Sequence, residues 1–255
     1  MQILIRRIGM KIVFFGTSHG YPEPHKKCSS LMVEIGEKRY IIDMGTDITT
    51  DLIDRGLRPE CLSAIFVTHM HGDHYCGLAP FLNVCNWLYK TADFALYVPA
   101  DIEQFSNAVE AWLGLRATPR PVRKFDYRKI NEGVIYDDGV LKVTAYMTKH
   151  CEQSYALLLE AEGKRVLYTG DLSSKHGPEY DFPRAALDCK VDLLICEGAH
   201  FPATKYMPIF ENCENISRIW ITHIKENRTG SIYELKEMLP DKEIVLAKDG
   251  MEVNV

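Results

Sequence analysis

The sequence predicts a single α+β domain built from mixed β-sheets with helices packed outside them. Apolar runs come in pairs around short turns, as in "SLMVEIGEKRYII", which is typical of antiparallel hairpins. Other apolar runs alternate with segments of helical periodicity, which is typical of strands joined through helices. No internal repeat, low-complexity segment or linker composition divides the 255 residues, so we expect one domain over 1–255.

The first half of the chain contains five apolar runs that predict strands and three segments that predict helices. The run at 62–69 is short and continuously apolar, as expected of a strand covered on both faces. Two of the helices end at Gly56 and Gly114, and glycine is a common stop signal. In order, the predicted elements are strands at 11–16, 29–35 and 38–45, a helix at 47–56, a strand at 62–69, a helix from 73 to 90, a strand at 94–99 and a helix at 100–114.

The second half predicts strands again, with one helix near the end. The run at 154–171 reads as a hairpin that turns at Glu162 and Gly163. The predicted elements are strands at 140–148, 154–171, 191–198 and 218–224, a helix over "SIYELKEML", and a final hairpin in "IVLAKDGMEVNV" at 244–255.

Composition narrows the classes of function. The net charge of −5 argues against binding of long nucleic acid, because affinity for phosphate chains comes mainly from Lys and Arg. No apolar run approaches the roughly 18–20 residues needed to span a bilayer. Eight cysteines without a C-x-x-C pair, and no convincing signal peptide, predict a cytoplasmic protein with reduced thiols. Residues 1–9 are expected to be an N-terminal extension, since the domain-like sequence starts at "KIVFFG".

The segment "FVTHMHGDHYCG" concentrates ionisable groups directly after an apolar run: His69, His71, Asp73 and His74. His69 and His71 point to the same side of an extended chain, and Gly72 can turn the chain so that the other two converge with them. Asp73 alone could be a helix N-cap. Imidazole and carboxylate together suit Zn²⁺, Mn²⁺ or Fe²⁺, so we predict a metal site.

Two metals need more ligands than this segment offers, and other apolar runs end in suitable residues. His150 follows "VTAYMT", Asp171 ends "RVLYTGD" and His223 ends "IWITH". Strand ends of a sheet deliver such residues to one rim, so we expect a dinuclear site holding two divalent metal ions, with zinc favoured and manganese or iron as alternatives.

The "THMHGDH" segment resembles the H-x-H-x-D-H signature of the metallo-β-lactamase superfamily. The resemblance implies a four-layer αββα sandwich of two mixed sheets flanked by helices. It implies that His69, His71 and His150 hold one metal, that Asp73, His74 and His223 hold the other, and that Asp171 bridges them. Asp43, in "YIIDMG", matches an aspartate that orients a ligand histidine, although it could also be a turn residue.

Within this superfamily, "FFGTSHGYP", "YTGD" and "WITHI" resemble the ribonuclease Z-like phosphodiesterase branch. Ribonuclease Z carries a long tRNA-binding arm between the residues matching His150 and Asp171. Here a compact hairpin fills that interval, so the chain is similar to relatives without the arm that cleave small phosphodiesters or cyclic phosphates. The resemblance implies a small anionic substrate, and it leaves a homodimer open.

Two divalent ions, two carboxylates and a bridging hydroxide leave a site charge of about +1, which favours an anionic substrate. Water on a metal ionises near pH 7, so the bridging hydroxide is expected to attack the phosphorus without a protein nucleophile. Asp73 counts among the catalytic residues as well as the ligands. Glu197 and His200, in "CEGAHF", are the candidates for the acid that protonates the leaving group, although a loop hydrogen bond explains them equally well.

Several alternatives remain open at this stage. The same site could hydrolyse a lactone or a thioester, because two metals can also activate attack on a carbonyl. A tRNA 3′-processing endonuclease is disfavoured by the short interval and the negative charge. A non-haem di-iron redox or sensor protein and a metal-binding scaffold without catalysis are further alternatives.

Overall fold

A computed structural model describes residues 9–115, 122–211 and 213–255. Its strands, in chain order, are β1 (Met10–Gly16), β2 (Ser30–Ile35), β3 (Lys38–Ile42), β4 (Leu62–Phe66), β5 (Ala95–Val98), β6 (Asp126–Lys129), β7 (Gly133–Asp137), β8 (Lys142–Thr148), β9 (Ser154–Ala161), β10 (Lys164–Tyr168), β11 (Leu193–Gly198), β12 (Arg218–Ile224), β13 (Glu243–Leu246) and β14 (Glu252–Asn254). Its α-helices are α1 (Thr49–Asp54), α2 (Gly72–Tyr75), α3 (Leu78–Trp87), α4 (Ile102–Gly114), α5 (Pro178–Asp181), α6 (Met207–Phe210) and α7 (Gly230–Met238). Short 3₁₀ helices lie at Pro59–Cys61, Arg184–Leu187, Ala203–Tyr206 and Glu226–Arg228.

The strands form two mixed sheets of seven with the same internal plan. The first sheet has the order β14-β1-β2-β3-β4-β5-β6, and the second has the order β13-β12-β11-β10-β9-β8-β7. In the first sheet β1, β2 and β3 are antiparallel neighbours, whereas β3 to β6 run parallel. In the second sheet β7 to β10 are antiparallel and β10 to β13 are parallel. Parallel strands end at the same edge, so each sheet gathers several carboxyl ends at one rim.

The inner faces of the two sheets share one apolar core, in which the Phe14 ring stacks on the Trp220 ring at 5.4 Å. A second core lies between the outer face of the first sheet and α1, α3 and α4, and a third lies between the second sheet and α6, α7 and Phe182, which follows α5. Helix, sheet, sheet and helix therefore form four layers, and the predicted αββα sandwich is confirmed. Within the described residues, no helix is both long and apolar enough to cross a bilayer.

Several predicted elements differ from the structure. The helix expected from 73 to 90 is broken into α2 and α3, because Gly77 N donates to Met44 O at 2.8 Å and His74 O accepts from Met44 N at 2.7 Å, in place of hydrogen bonds within one helix. Gly77 also packs against the backbone of Thr46: a Cβ at Gly77 would lie 2.1 Å from the Thr46 carbonyl oxygen. Strands β6 and β7 were not expected: β6 is largely exposed and lacks an apolar run, and the apolar run of β7 is only three residues long.

The predicted final hairpin at 244–255 is wrong. Strand β13 pairs in parallel with β12 of the second sheet, whereas β14 pairs antiparallel with β1 of the first sheet. The turn-like "KDG" therefore carries the chain from one sheet to the other, and Gly250 N donates to Phe14 O at 2.7 Å. A single domain over 1–255 stays a prediction, and of the expected extension at 1–9 only Gly9 lies within the described residues.

Candidate metal centre

Three histidines meet at the rim of the sandwich and form what we call the first ligand group: His69, His71 and His150. His69 follows β4, His71 directly precedes α2, and His150 follows β8. His71 Nδ1 lies 3.1 Å from Nε2 of His69 and 2.9 Å from Nε2 of His150. Nitrogen atoms this close repel one another through their lone pairs unless a proton or a metal ion lies between them.

Asp73, His74 and His223 form a second ligand group beside the first. Asp73 and His74 lie on α2, and His223 lies near the end of β12 in the other sheet. Asp73 Oδ2 is 3.5 Å from His74 Nε2 and 3.7 Å from His223 Nε2. The two halves of the sandwich therefore contribute to one cluster.

Asp171 lies between the two groups. One carboxylate oxygen, Oδ2, is 3.7 Å from His69 Nε2, 3.6 Å from His150 Nε2 and 3.2 Å from His223 Nε2, and the other, Oδ1, is 3.4 Å from His74 Nε2. Burial alone would raise the pKa of Asp171, but His223 and His74 hold it well below its usual value, so the carboxylate is ionised. The structure therefore brings all seven residues expected as ligands to one place.

The donor atoms fit a cation. His74 Nε2 and Asp171 Oδ1 are buried and face each other, yet neither has a hydrogen-bond partner among the described residues. A buried polar atom without a partner costs free energy, and a metal ion would satisfy both. Burial and the neighbouring His74 hold the pKa of His69 well below its usual value, which keeps a nitrogen lone pair available for a metal.

Asp43 holds His74 from behind. Its Oδ2 lies 2.8 Å from His74 Nδ1, and Thr68 donates to Oδ1 through its backbone N–H at 2.7 Å. The hydroxyl of Tyr168, from the other sheet, donates to Oδ2 at 3.1 Å. Because Nδ1 is engaged by a fully buried carboxylate, the ring presents Nε2 to the cluster.

Glu197 and His200 lie at the end of β11 and differ in exposure. The Glu197 carboxylate is 1% exposed and accepts from the backbone N–H groups of Leu172, Ala199 and His200. His200 Nδ1 lies 2.9 Å from Glu197 Oε1 and 3.9 Å from Asp171 Oδ2. Burial lowers the pKa of His200, but Glu197 outweighs burial and raises it. Of this pair, His200 is the member beside the cluster and Glu197 lies behind it.

The sequence did not point to three side chains that contact the ligands or Asp43: Ser29, Thr68 and Tyr168. Ser29 Oγ is 2.8 Å from His223 Nδ1, although 194 positions separate the two residues. Thr68 and Tyr168 lie within quoted motifs, directly before His69 and in "YTGD", but nothing local distinguishes them from strand residues. Only their place beside a recognised ligand could have drawn attention to them.

Comparison with known sequences identifies the family. The sequence model of the family described as "Anti-Pycsar protein Apyc1" matches residues 10–189, which is more than half of the chain. Ribonuclease Z of Anoxybacillus flavithermus is 29% identical over 202 residues, which cover 76% of this chain and 64% of that protein. Ribonuclease Z of Listeria innocua is 30% identical over 173 residues, which cover 67% of this chain and 55% of that protein. The matched segments thus span 55–64% of the length of these two relatives.

Solved structures show the same fold. The metallo-β-lactamase fold protein YhfI from Bacillus subtilis has a TM-score of 0.75 at 19% identity, with 97% of this chain and 100% of that chain covered. A diphosphatase from the PhnP family has a TM-score of 0.72 at 18% identity, with 96% and 97% covered. Zn²⁺-bound PqqB from Methylobacterium extorquens has a TM-score of 0.69 at 15% identity, with 96% and 100% covered.

Ribonuclease and diphosphatase are names of hydrolases, so the predicted relation to hydrolases of this fold is confirmed. The His/Asp cluster of this chain consists of groups that could hold a metal ion. The chain belongs to the Anti-Pycsar protein Apyc1 family and has the metallo-β-lactamase fold.

Proposed function

We propose that this protein is a dinuclear metal-dependent hydrolase that cleaves a small phosphodiester or cyclic phosphate. The observation that carries the proposal is the convergence of seven histidine and aspartate side chains on one rim, where buried His74 Nε2 and Asp171 Oδ1 have no hydrogen-bond partner among the residues that the structure describes. The names of the hydrolase relatives support the reaction class.

The first ligand group would hold one ion and the second ligand group would hold the other. Asp171 would be a ligand of both ions. Two divalent ions, zinc in our proposal with manganese or iron as alternatives, would ionise water at neutral pH and offset charge on the phosphoryl oxygens. The two carboxylates, Asp73 and Asp171, leave the site with net positive charge, which attracts an anion. His71 is exposed, so the substrate can approach from its side of the cluster.

His200 is our candidate for the proton donor to the leaving oxygen. Its Nδ1 is held by the Glu197 carboxylate, which leaves Nε2 as the nitrogen that can donate. Glu197 makes its contacts with N–H donors and is buried, so we assign it a positioning role for His200. Asp73 acts in this proposal as a ligand whose charge helps to hold the second ion.

The short chain segment between His150 and Asp171 supports a small substrate. That interval contains β9 and β10, joined by a tight turn in which Glu162 and Gly163 both have positive φ. The residues of both strands pair within the sheet, and the turn between them is only two residues long, which leaves no room for an arm. Together with the net charge of −5, this favours a small anionic substrate over precursor tRNA.

The test compares substrates on zinc-loaded protein. We expect turnover of bis(p-nitrophenyl) phosphate and of nucleoside cyclic phosphates, with little turnover of an acyl-homoserine lactone or a thioester. A His200→Ala variant should lower kcat by about 10²–10⁴-fold if His200 is the acid. Lactone hydrolysis without phosphodiester hydrolysis would contradict the proposal.

A second candidate, 3′ processing of precursor tRNA, is favoured by one observation: both relatives described above are named ribonuclease Z. Cleavage of precursor tRNA in preference to small phosphodiesters would establish it. A di-iron redox or sensor protein would instead show bound iron with redox activity. The homodimer and the cytoplasmic location stay predictions.

A further inference from the structure

His223 reaches the centre through an irregular piece of backbone. It lies within β12, yet the pairing with β11 skips it, since Thr222 lies opposite Glu197 and Ile224 lies opposite Gly198. Its φ is 50°, in the left-handed region that residues other than glycine seldom adopt. An extra residue of this kind turns a side chain away from the regular alternation of a strand. The orientation of the ring therefore depends on contacts made by the ring itself.

One such contact comes from Ser29. Its hydroxyl oxygen lies 2.8 Å from His223 Nδ1, and both side chains are buried. The other ring nitrogen, Nε2, lies 3.2 Å from Asp171 and 3.7 Å from Asp73. A histidine that binds a metal through Nε2 carries its proton on Nδ1, and in that tautomer His223 donates to the Ser29 hydroxyl oxygen.

The backbone of Ser29 also supports the segment that carries Asp73. The Ser29 carbonyl accepts from Gly45 N at 2.9 Å. Gly45 in turn packs against Asp73 so closely that a Cβ at Gly45 would lie 1.8 Å from the Asp73 carbonyl oxygen. Ser29 therefore contacts one member of the second ligand group directly and reaches a second through a single glycine. Among the described hydrogen bonds, none joins Ser29 to the first ligand group.

We propose that Ser29 is a positioning residue for the second metal position. By engaging Nδ1 of His223, it holds the ring in the orientation that presents Nε2 to the centre, and it can accept the Nδ1 proton that a ligand histidine carries. We expect the effect to fall on the second ligand group, because the described hydrogen bonds of Ser29 reach His223 and Gly45 and no residue of the first group. This inference rests on the proposed two-ion centre and adds a residue that no motif in the sequence indicates.

The neighbouring serine supplies a matched control. Ser30 is 1% exposed, as deeply buried as Ser29, but its hydroxyl has no hydrogen-bond partner among the described residues. Ser29→Ala and Ser30→Ala therefore remove the same atom from adjacent buried positions, and only the first removes a contact with His223. A second pair is Ser29→Thr and Ser29→Val. These two side chains have nearly the same shape, and only threonine has a hydroxyl.

The experiment loads each protein with Zn²⁺, dialyses it against a graded series of chelator concentrations and measures bound zinc by atomic emission. In Ser29→Ala and Ser29→Val, we expect one of two ions to bind about 10- to 100-fold more weakly while the other is retained. Ser30→Ala and Ser29→Thr should match the wild type. The absorption spectrum of the Co²⁺-loaded protein should change only in the variants without a hydroxyl at 29.

Two outcomes would overturn the inference, and they differ in what they imply for the function. If Ser29→Val holds both ions as tightly as Ser29→Thr, Ser29 does not position His223, while the proposed function stands. If the wild type itself binds fewer than two ions, the inference and the two-ion centre are rejected together. Should Ser29→Ala fail to fold, the Thr and Val variants decide.

Discussion

Asp43, which is fully buried, and Asp138, which is partly buried, are carboxylates that both join the two sheets beside β3. Asp43 accepts from the Tyr168 hydroxyl of the other sheet, and Asp138 accepts from the Tyr40 hydroxyl across the same interface. Only Asp43 also engages a histidine of the centre, His74. The residue type is the same, so the neighbours alone decide that one carboxylate supports a candidate ligand and the other supports the fold.

Asp138 should make the protein sensitive to acid. Burial alone would raise its pKa, but the backbone N–H groups of Leu141 and Val140, with the Tyr40 hydroxyl, outweigh burial and lower the pKa to about 2. A lowered pKa stabilises the folded state above the unfolded pKa, near 4, and that contribution is lost as the pH falls to about 2.

We therefore expect Asp138→Asn to lower the free energy of unfolding by about 1–2 kcal/mol at pH 7, because the ionised acceptor is lost. The difference from the wild type should shrink between pH 4 and pH 2, where Asp138 becomes protonated in the wild type. Urea unfolding of both proteins at pH 7, 4 and 3 measures this. A difference that stays constant over that range would contradict the assignment.

At the scale of elements, the sequence predicts strands that are distinct apolar runs. It misses features that depend on contacts between distant segments of the chain. Strands β1, β8 and β12 lie close to their predicted bounds because each is a distinct apolar run. The break between α2 and α3 was missed, since it depends on hydrogen bonds with Met44, which lies more than 30 positions before Gly77 and gives no signal at the break itself. The destination of β14 was missed for the same reason: its partner, β1, is at the other end of the chain.

Gly77 should accordingly be intolerant of a side chain, although its backbone conformation suits any residue. A Cβ at this position would overlap the backbone of Thr46, with the nearest atoms at 2.1 Å, and backbone cannot move aside as a flexible side chain can. We expect Gly77→Ala to destabilise the protein by about 1–3 kcal/mol.

Gly114, at the end of α4, is the control, because a Cβ there would meet no atom of the described residues within 4 Å. Gly114→Ala should be neutral or stabilising by about 0.5–1 kcal/mol, since alanine loses less backbone entropy on folding. Urea midpoints of the two variants compare them directly. Equal midpoints would show that the overlap at Gly77 is relieved by a small backbone shift.

At the scale of the whole molecule, the candidate centre spans the interface between the sheets. His69, His71, Asp73 and His74 follow β4 of the first sheet, and His150, Asp171 and His223 come from the second. These residues could be predicted because they end apolar runs or fall in a dense motif. The residues that hold them in place could not be predicted. Ser29 and Tyr168 contact residues 194 and 125 positions away, and only the folded chain brings them together.

Bound ions should therefore hold the two halves of the molecule together. Any ligand that binds only the folded state stabilises it, by about 2.7 kcal/mol per site when its free concentration is 100 times the dissociation constant. Without the ions, buried His74 Nε2 and Asp171 Oδ1 face each other at 3.4 Å and have no hydrogen-bond partner in the described part of the chain, which costs further free energy.

We expect removal of the metal by a chelator to lower the midpoint of thermal unfolding by several degrees, and added Zn²⁺ to restore it. Chelator saturated with Ca²⁺ is the control, because it adds the same solute without free chelating groups. At limiting zinc, added Zn²⁺ should raise the unfolding midpoint less in Ser29→Val than in Ser29→Thr, because one of the two metal sites is weakened in Ser29→Val. An unfolding midpoint that ignores both chelator and zinc would mean that the rim of the sandwich holds no ion, and that its seven converging side chains need a different explanation.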